Sequence, residues 1–518
     1  MRDGAACLSP TWNMRLVASS DSPARRDMPK LHFIAFSFIT MRGWKSPEIT
    51  IFPALKLPYM KINKLALSGA FLPIAIGMLV ALGVSAQEIV VPYEQFTLPN
   101  GLHVILHKDN TVPRVSVNMW YHVGSGSEKP GRTGFAHLFE HILFEGSQHV
   151  PEGKFDQWLE AAGANNNGST TEDRTNYYED LPSNALDLAL FLESDRMGFL
   201  LKSLTSTTVD GQRDVVKNER RQSYENRPYG KASLELPALL YPKDHPYSWT
   251  VIGSMEDLSA ASYQDVVDFF TMYYAPGNAS LSIAGDIDLK ETRQAVEKWF
   301  SDVPAGKPVS KVNPPAAGLT EEKRVVLEDK VQLPRLMMVW LTPPSYHPGS
   351  AEMELLSSLL SGGKNSRLYK RLVYDLQIAQ NVFAYNDSKK FASEFNIVAT
   401  ARPGVTLTQL ENVIQEEIDR LKAEQPQDRE LQRVKNQFES GFIGQIESAG
   451  GFSGKANQLN QYYYYTGNPD YFNEDLQRYK AVSTNDISAA VRLYLKDNAR
   501  VVMSIVPEGK TDLAAKKN

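Results

Sequence analysis

The sequence predicts an α+β protein of two similar domains, each a mostly antiparallel sheet packed with helices. Three observations predict it. Strand-like alternation and helix-like periodicity are interleaved along the first half. A proline-rich break follows near residue 300. Beyond that break the opening pattern of the first half recurs. The 518 residues allow two or three domains with ample core. A composition of 42% hydrophobic and 22% charged residues is that of a folded globular chain. The net charge of -5 gives no sign of a nucleic-acid binder, which would usually be basic.

Residues 1–59 are rich in Arg, Pro and Ser, show no sustained periodicity, and are expected to be a non-native or disordered extension. Met60 opens a different pattern. Lys61 and Lys64 precede an uncharged, mostly apolar run from Leu65 to Ala86, which ends in Val84-Ser85-Ala86. A positive start, an apolar middle and small residues at the exit make residues 60–86 a secretory signal peptide, and hence the protein secreted. The alternative is an uncleaved anchor, since the run is long enough to span a bilayer. No later segment looks transmembrane, so no stable span is expected after cleavage. Removing this part takes 10 of the 55 basic and 4 of the 60 acidic residues, leaving 45 and 56, a net of −11. Such a surface argues against DNA or anionic lipid as a partner. Cys7, the single cysteine, leaves with it, so any metal must be held by His and carboxylate.

Phe96 to His107 reads as a hairpin turning at Pro99-Asn100-Gly101, because Asn-Gly between apolar alternations is a strong hairpin signal. Val115 to Tyr121 alternates as a strand. Gly134 to Glu145, Asn184 to Leu200 and Val209 to Tyr224 are helical in pattern. Asp302 to Gly318 holds Pro304, Pro308, Pro314 and Pro315, the best linker in the chain. After it, Arg324-Val325-Val326-Leu327, then Leu333-Pro334-Arg335, then an apolar strand to Trp340 repeat an earlier order. There Val104-Ile105-Leu106 precedes Val112-Pro113-Arg114 and a strand ending at Trp120. The expected division is 87–303, a linker over 304–319, and 320–518.

The chemistry lies in His137-Leu138-Phe139-Glu140-His141. On a helix, positions 137 and 141 share a face, and two imidazoles there can reach one cation. Glu140 flanks the same point. This is the zinc-helix motif in reversed order. A zinc ion leaves a position for water, and a neighbouring carboxylate can take its proton and deliver it to a leaving amine. With nine histidines in the chain, chance would produce this pattern only about 0.01 times. The bland alternative is a helix of ordinary core or surface histidines. Phe135, Leu138, Phe139, Ile142, Leu143 and Phe144 make the helix apolar nearly all round, and its buried polar groups then need partners, of which a metal is one. A third ligand is needed from another helix. Glu219 can point inward with Val215 and Val216; Asp214 and Glu225 are rivals, and a solvated Glu219 paired with Arg220 or Arg221 is the bland reading.

These residues resemble the pitrilysin/insulinase family of zinc peptidases, the inverzincins, and more narrowly its smaller bacterial, processing-peptidase-like members. The resemblance covers most of residues 90–510. It rests on Gly134 to Ser147 around the histidines, Asp173-Arg174-Thr175-Asn176-Tyr177-Tyr178, Val215-Val216-Lys217-Asn218-Glu219, His245-Pro246-Tyr247, and Tyr274-Ala275-Pro276-Gly277-Asn278-Ala279 with Gly285-Asp286. It implies two domains of processing-peptidase-like fold, the second inactive, and one Zn2+ per chain with Glu219 as its third ligand. It also implies a substrate-pairing edge strand, here Asn167-Gly168-Ser169-Thr170. Such pairing suits a peptidase with loose side-chain preference; composition alone would favour an ordinary turn there.

Two departures matter. The family often has a glutamate seven residues before the ligand; here it is Gln212, which keeps only a hydrogen-bonding role behind the ligands. After Gly362-Gly363-Lys364-Asn365-Ser366-Arg367-Leu368, an Arg and a Tyr seven apart are implied, but Val373 and Gln380 stand there. Arg371 and Tyr374 are near but wrongly spaced. The resemblance therefore implies the zinc-bearing half of a heterodimer, whose homologous non-zinc subunit brings the Arg/Tyr pair and helps enclose unfolded peptide substrates. The competing expectation is a non-catalytic assembly or binding subunit, against which His137, Glu140, His141 and Glu219 argue. A membrane-anchored structural protein rests only on residues 65–86.

Overall fold

The structure, a computed structural model, describes residues 88–517. The extension expected over residues 1–59 and the leader over 60–86 lie outside the described residues. Strands β1 (Glu94–Thr97) and β2 (His103–Lys108) form the expected hairpin, and Gly101 supplies the left-handed residue, φ 93°, that the turn requires. Next come β3 (Arg114–Tyr121), α1 (Phe135–Ile142), α2 (Lys154–Ala161), β4 (Asn165–Thr170), β5 (Thr175–Pro182), α3 (Leu186–Phe199) and α4 (Ser206–Arg220). Then follow α5 (Lys231–Leu240), α6 (Met255–Ala260), α7 (Tyr263–Tyr273), β6 (Ala279–Gly285) and α8 (Leu289–Phe300). The strands make one sheet in the order β1-β2-β6-β3-β5-β4. The expected helix from Val209 to Tyr224 starts three residues earlier, because Thr205 accepts the Thr208 amide as its N-cap. It ends at Arg220 in a wider turn over Arg221–Glu225.

No helix or strand forms between Phe300 and Lys323. The second half holds β7 (Lys323–Asp329), β8 (Arg335–Thr342), α9 (Ser350–Ser361), β9 (Ala379–Asp387), β10 (Ser393–Ala401) and α10 (Leu407–Ala423). It ends with α11 (Asp428–Glu447), α12 (Lys455–Thr466), α13 (Phe472–Ala481), α14 (Thr484–Tyr494) and β11 (Val501–Pro507). Its sheet runs β7-β11-β8-β10-β9. Apart from β1 this is the order of the first sheet, strand for strand, so β9 is the counterpart of β4 and α9 of α1. The short match around Pro113-Arg114 and Pro334-Arg335 marks equivalent strands, β3 and β8. Each sheet is antiparallel except for one parallel pair, β2 with β6 and β7 with β11.

Both sheets are covered on both faces. Val115, Val117, Met119 and Tyr121 of β3 point into a core with α1, α3, α4, α7 and α8. The alternate residues Asn118 and Trp120 face α12, from the second half. There Asn460 donates to the Asn118 carbonyl at 2.8 Å and the Trp120 indole donates to Asn457 at 2.9 Å. In return, Ala232, Leu236 and Leu240 of α5 cover Met337, Val339, Met503 and Ile505 of the second sheet. Each half thus lends the other a helix, and those strands carry apolar or hydrogen-bonded residues on both sides. Among the described residues no helix is long and apolar enough to cross a membrane.

Candidate metal centre

Helix α1 carries His137, Glu140 and His141. Phe135, Leu138, Phe139 and Ile142 are fully buried beneath it and fix its rotation about its axis. No side chain of its own N-terminal flank caps it. The Glu128 carboxylate does so instead, accepting the amides of Gly134 at 3.0 Å and Ala136 at 2.9 Å. Burial pushes the Glu128 carboxyl up to about 8, with the backbone N–H bonds working against that rise. Sequence reasoning missed Glu128. A signal for it exists in an acid just ahead of a helix that opens on Gly134 without Ser, Thr, Asp or Asn.

Helix α4 lies against α1 and turns Gln212, Val216 and Glu219 toward it. Val216 is fully buried, whereas Val215 is 46% exposed, so the inward face is narrower than the sequence suggested. His137 Nε2 and His141 Nε2 stand 3.3 Å apart. Glu219 Oε2 is 3.6 Å from the first and 3.4 Å from the second. Ligands about 2.0–2.1 Å from a tetrahedral zinc stand about 3.3–3.4 Å from one another. The residues present therefore fit such an ion. Among the described residues, this is the one group of three or more His, Cys, Asp or Glu side chains so gathered. Burial lowers the His137 pKa, which favours the neutral imidazole that ligation needs. Glu219 is raised by burial, but its hydrogen bond with His141 and the charges of both histidines outweigh this and hold it below its usual value. His137 is 3% exposed and His141 23%, so the cluster is open on one side only.

Glu140 has one carboxylate oxygen, Oε2, buried beside the histidines without a protein partner. A buried carboxylate oxygen in that position suits a water held between it and a metal. The edge strand β4 passes directly against Glu140. A Cβ on Gly168 would lie 3.1 Å from Glu140 Cγ and 3.0 Å from Tyr177 Cε1, so a side chain there would require these neighbours to give by a few tenths of an ångström. The Gly168 amide donates to its neighbour's Asn167 Oδ1 at 2.8 Å. Ser169 accepts the Arg174 guanidinium on its carbonyl at 2.8 Å, and Thr170 is buried. The structure thus brings Asn167, Gly168, Ser169 and Thr170 to the sheet edge beside the His137, His141 and Glu219 cluster. Tyr177, fully buried on β5, backs both Gly168 and α1, and its hydroxyl donates to the Phe139 carbonyl at 3.4 Å.

Other candidates lie elsewhere. Gln212 donates to Glu145, just beyond α1, at 2.6 Å and is bonded to neither histidine. Asp214 is exposed, and Glu225 pairs with Arg220 at 3.0 Å. Val373 packs on the second core, Gln380 is exposed on β9, Arg371 is engaged by Glu416 and Glu417, and Tyr374 is 73% exposed.

Comparison with known proteins bears on this geometry. The profile of the insulinase family, peptidase family M16, matches residues 103–238, and that of the peptidase M16 inactive domain matches residues 260–438. The chain is 30% identical over 386 residues to the zinc protease PqqE of Helicobacter pylori, covering 73% of this chain and 86% of that one. A solved protease structure from Helicobacter pylori superposes with a TM-score of 0.76 at 26% identity, over 81% of this chain and all of that one. The periplasmic protease PqqL of Escherichia coli shares the fold, with a TM-score of 0.69 at 18% identity over 83% of this chain and 49% of that one.

Proposed function

Because the chain belongs to the insulinase family, peptidase family M16, we propose that it is a zinc-dependent endopeptidase that hydrolyses unfolded peptides, with Glu140 as its base. One observation carries this reading: three ligand atoms, two from α1 and one from α4, stand at tetrahedral spacing beside a buried, unpartnered carboxylate oxygen. His137, His141 and Glu219 would hold one zinc ion. When bound, the ion supplies a Lewis acid that polarises the scissile carbonyl and makes water at the site more acidic. Glu140 accepts the proton of the attacking water and hands it to the leaving amine. Asn167 to Thr170 align the peptide by main-chain pairing, for which the Asn167 side chain must release the Gly168 amide. Gln212 supports the site through Glu145.

The leader over residues 60–86, together with the periplasmic relative PqqL, supports a periplasmic location. We take residues 1–59 as an extension outside the working protein, and residues 87–303, 304–319 and 320–518 as zinc-bearing domain, linker and inactive domain. Val373 and Gln380, standing where an Arg and a Tyr would serve, support a heterodimer in which a homologous subunit provides that pair.

The test is peptide cleavage by the wild type and Glu140→Gln, with and without chelator, alone and with a neighbouring-gene partner. Glu140→Gln should bind zinc stoichiometrically and lose turnover by about a thousandfold or more. Turnover that survives chelation, or survives in Glu140→Gln, would overturn the assignment. Full activity of the isolated chain would remove the heterodimer.

A further inference from the structure

Two sequence motifs, Asp173-Arg174 and His245-Pro246-Tyr247, have no part in the chemistry above. In the structure they meet. The tip of the β4–β5 hairpin, residues 171–174, presses against the turn between β9 and β10, residues 388–392. These are equivalent hairpins of the two halves, so the contact lies between matching parts of the internal repeat. Asp173 is 7% exposed. Its carboxylate accepts the Tyr247 hydroxyl, the Lys390 amide at 2.9 Å and the Tyr465 hydroxyl at 3.3 Å. Its carbonyl accepts the Tyr464 hydroxyl at 2.8 Å. Tyr247, 1% exposed, in turn accepts the Phe391 amide at 3.2 Å. Beside it, Lys389 joins Glu172 of the first tip at 2.9 Å to Glu394 of β10 at 2.6 Å.

The edge strand needs such an anchor. Asn165-Asn166-Asn167-Gly168-Ser169-Thr170 is a run of weak strand formers, and it pairs on one side only. Its backbone path is therefore set by its partner β5 and by its ends. At the tip end, Ser125 and Gly126 donate their amides to the carbonyls of Thr171 and Glu172 at 3.1 and 2.8 Å, and Asp173 adds the bonds to the second half. Asp173 lies five positions beyond Gly168, which packs against Glu140.

We propose that Asp173 and Tyr247 are positioning residues for the substrate: their bond fastens the tip of the edge hairpin to the second half and so fixes the strand that aligns the peptide beside Glu140. The proposal rests on the peptidase reading. It gives the inactive half a direct part in substrate alignment, separate from any partner subunit.

The test uses zinc-loaded Glu140→Gln protein and an unstructured fluorescent peptide long enough to run along β4, with binding read by anisotropy. Asp173→Asn and Tyr247→Phe should each weaken binding about tenfold, the scale of a lost buried bond to a charged group. Combined, they should weaken it by less than the product of the two single effects, since both break the Asp173–Tyr247 bond, and effects that multiply fully would overturn the coupling. Amide exchange should quicken over residues 165–174 and stay unchanged over α1, with zinc content intact. Tyr247→Phe removes a single hydroxyl and covers the case in which Asp173→Asn does not fold. Unchanged affinity in a folded variant would overturn the proposal, as would exchange that quickens throughout with loss of zinc. Failure of the wild type to cleave peptides would overturn the peptidase reading instead, while exchange at the tip and coupling of the two variants would still decide the joint.

Discussion

Glu128 reaches α1 from a preceding loop and takes up two amides at its start, the point where a helix gathers partial positive charge. Removing it would leave those buried donors unpaired and free the first turn of α1, in which His137 sits. Glu128→Ala should therefore weaken zinc binding about 10- to 100-fold, as loss of a residue that orients ligands does, measured by competition with a metal indicator. Glu128→Gln, which keeps one acceptor, should fall between it and the wild type. His137, Glu140 and His141 were legible in the sequence because one helical turn brings them together. Glu219 was not distinguishable from Asp214 and Glu225 by spacing, because the register of α4 against α1 depends on which of Val215 and Val216 is buried, and that is a tertiary fact. Glu128 was missed for the same reason, acting across a loop rather than along a helix.

Helix α3 holds a charge deep in the first core. Arg196, 1% exposed, bonds Glu193 one turn away through Nε at 2.9 Å and Glu179 of β5 at 3.2 Å. Its guanidinium lies 4.0 Å from the Tyr177 ring centre. Burial and the neighbouring Glu193 push the Glu179 carboxyl well above its usual range, so the cluster tolerates only limited negative charge. Arg196→Met would strand Glu193 and Glu179 without a counter-charge and should cost about 3–5 kcal/mol, read from urea unfolding. Replacing all three by apolar residues of similar volume should cost less. The sequence reading placed a helix over Asn184 to Leu200, and the helix runs from Leu186 to Phe199. It gave no hint that Glu193, Asp195 and Arg196 would be buried, because charged residues usually mark the exposed face and pairing in the interior depends on which strand arrives opposite. The edge strand β4 was open to a reading as a turn for a similar reason: its residue types favour turns, and pairing with β5 overrides them.

Across the whole molecule the halves are also tied by Asp109, which follows β2, and Lys455, which opens α12, at 2.5 Å. The hydrogen bonds from Lys455 and then Thr111 hold the Asp109 carboxyl well below the usual range. A depressed folded pKa contributes stability above the unfolded value, near about 3.9, and that contribution fades as pH falls below it. The difference in Tm between wild type and Asp109→Asn should therefore be present at neutral pH and shrink on acidification below about 4; a constant difference would mean that the pair's charge is immaterial. At this scale the duplication was legible from a short recurring pattern, because equivalent strands start on the same Pro-Arg step. The exchange of α5 and α12 between halves was not, since an amphipathic helix shows that it has an apolar face but not whose sheet will cover it.

That exchange has a consequence for how such a protein can be shortened. Severed anywhere between residues 300 and 323, the polypeptide would give two pieces, each with a sheet stripped on one side and a helix left dangling without a seat. Neither fragment could hide its bare surface from solvent. The His137, His141 and Glu219 cluster, confined to the front piece, thus cannot dispense with the rear one, and a gene that lost the rear portion would be left encoding an aggregate instead of a smaller protein.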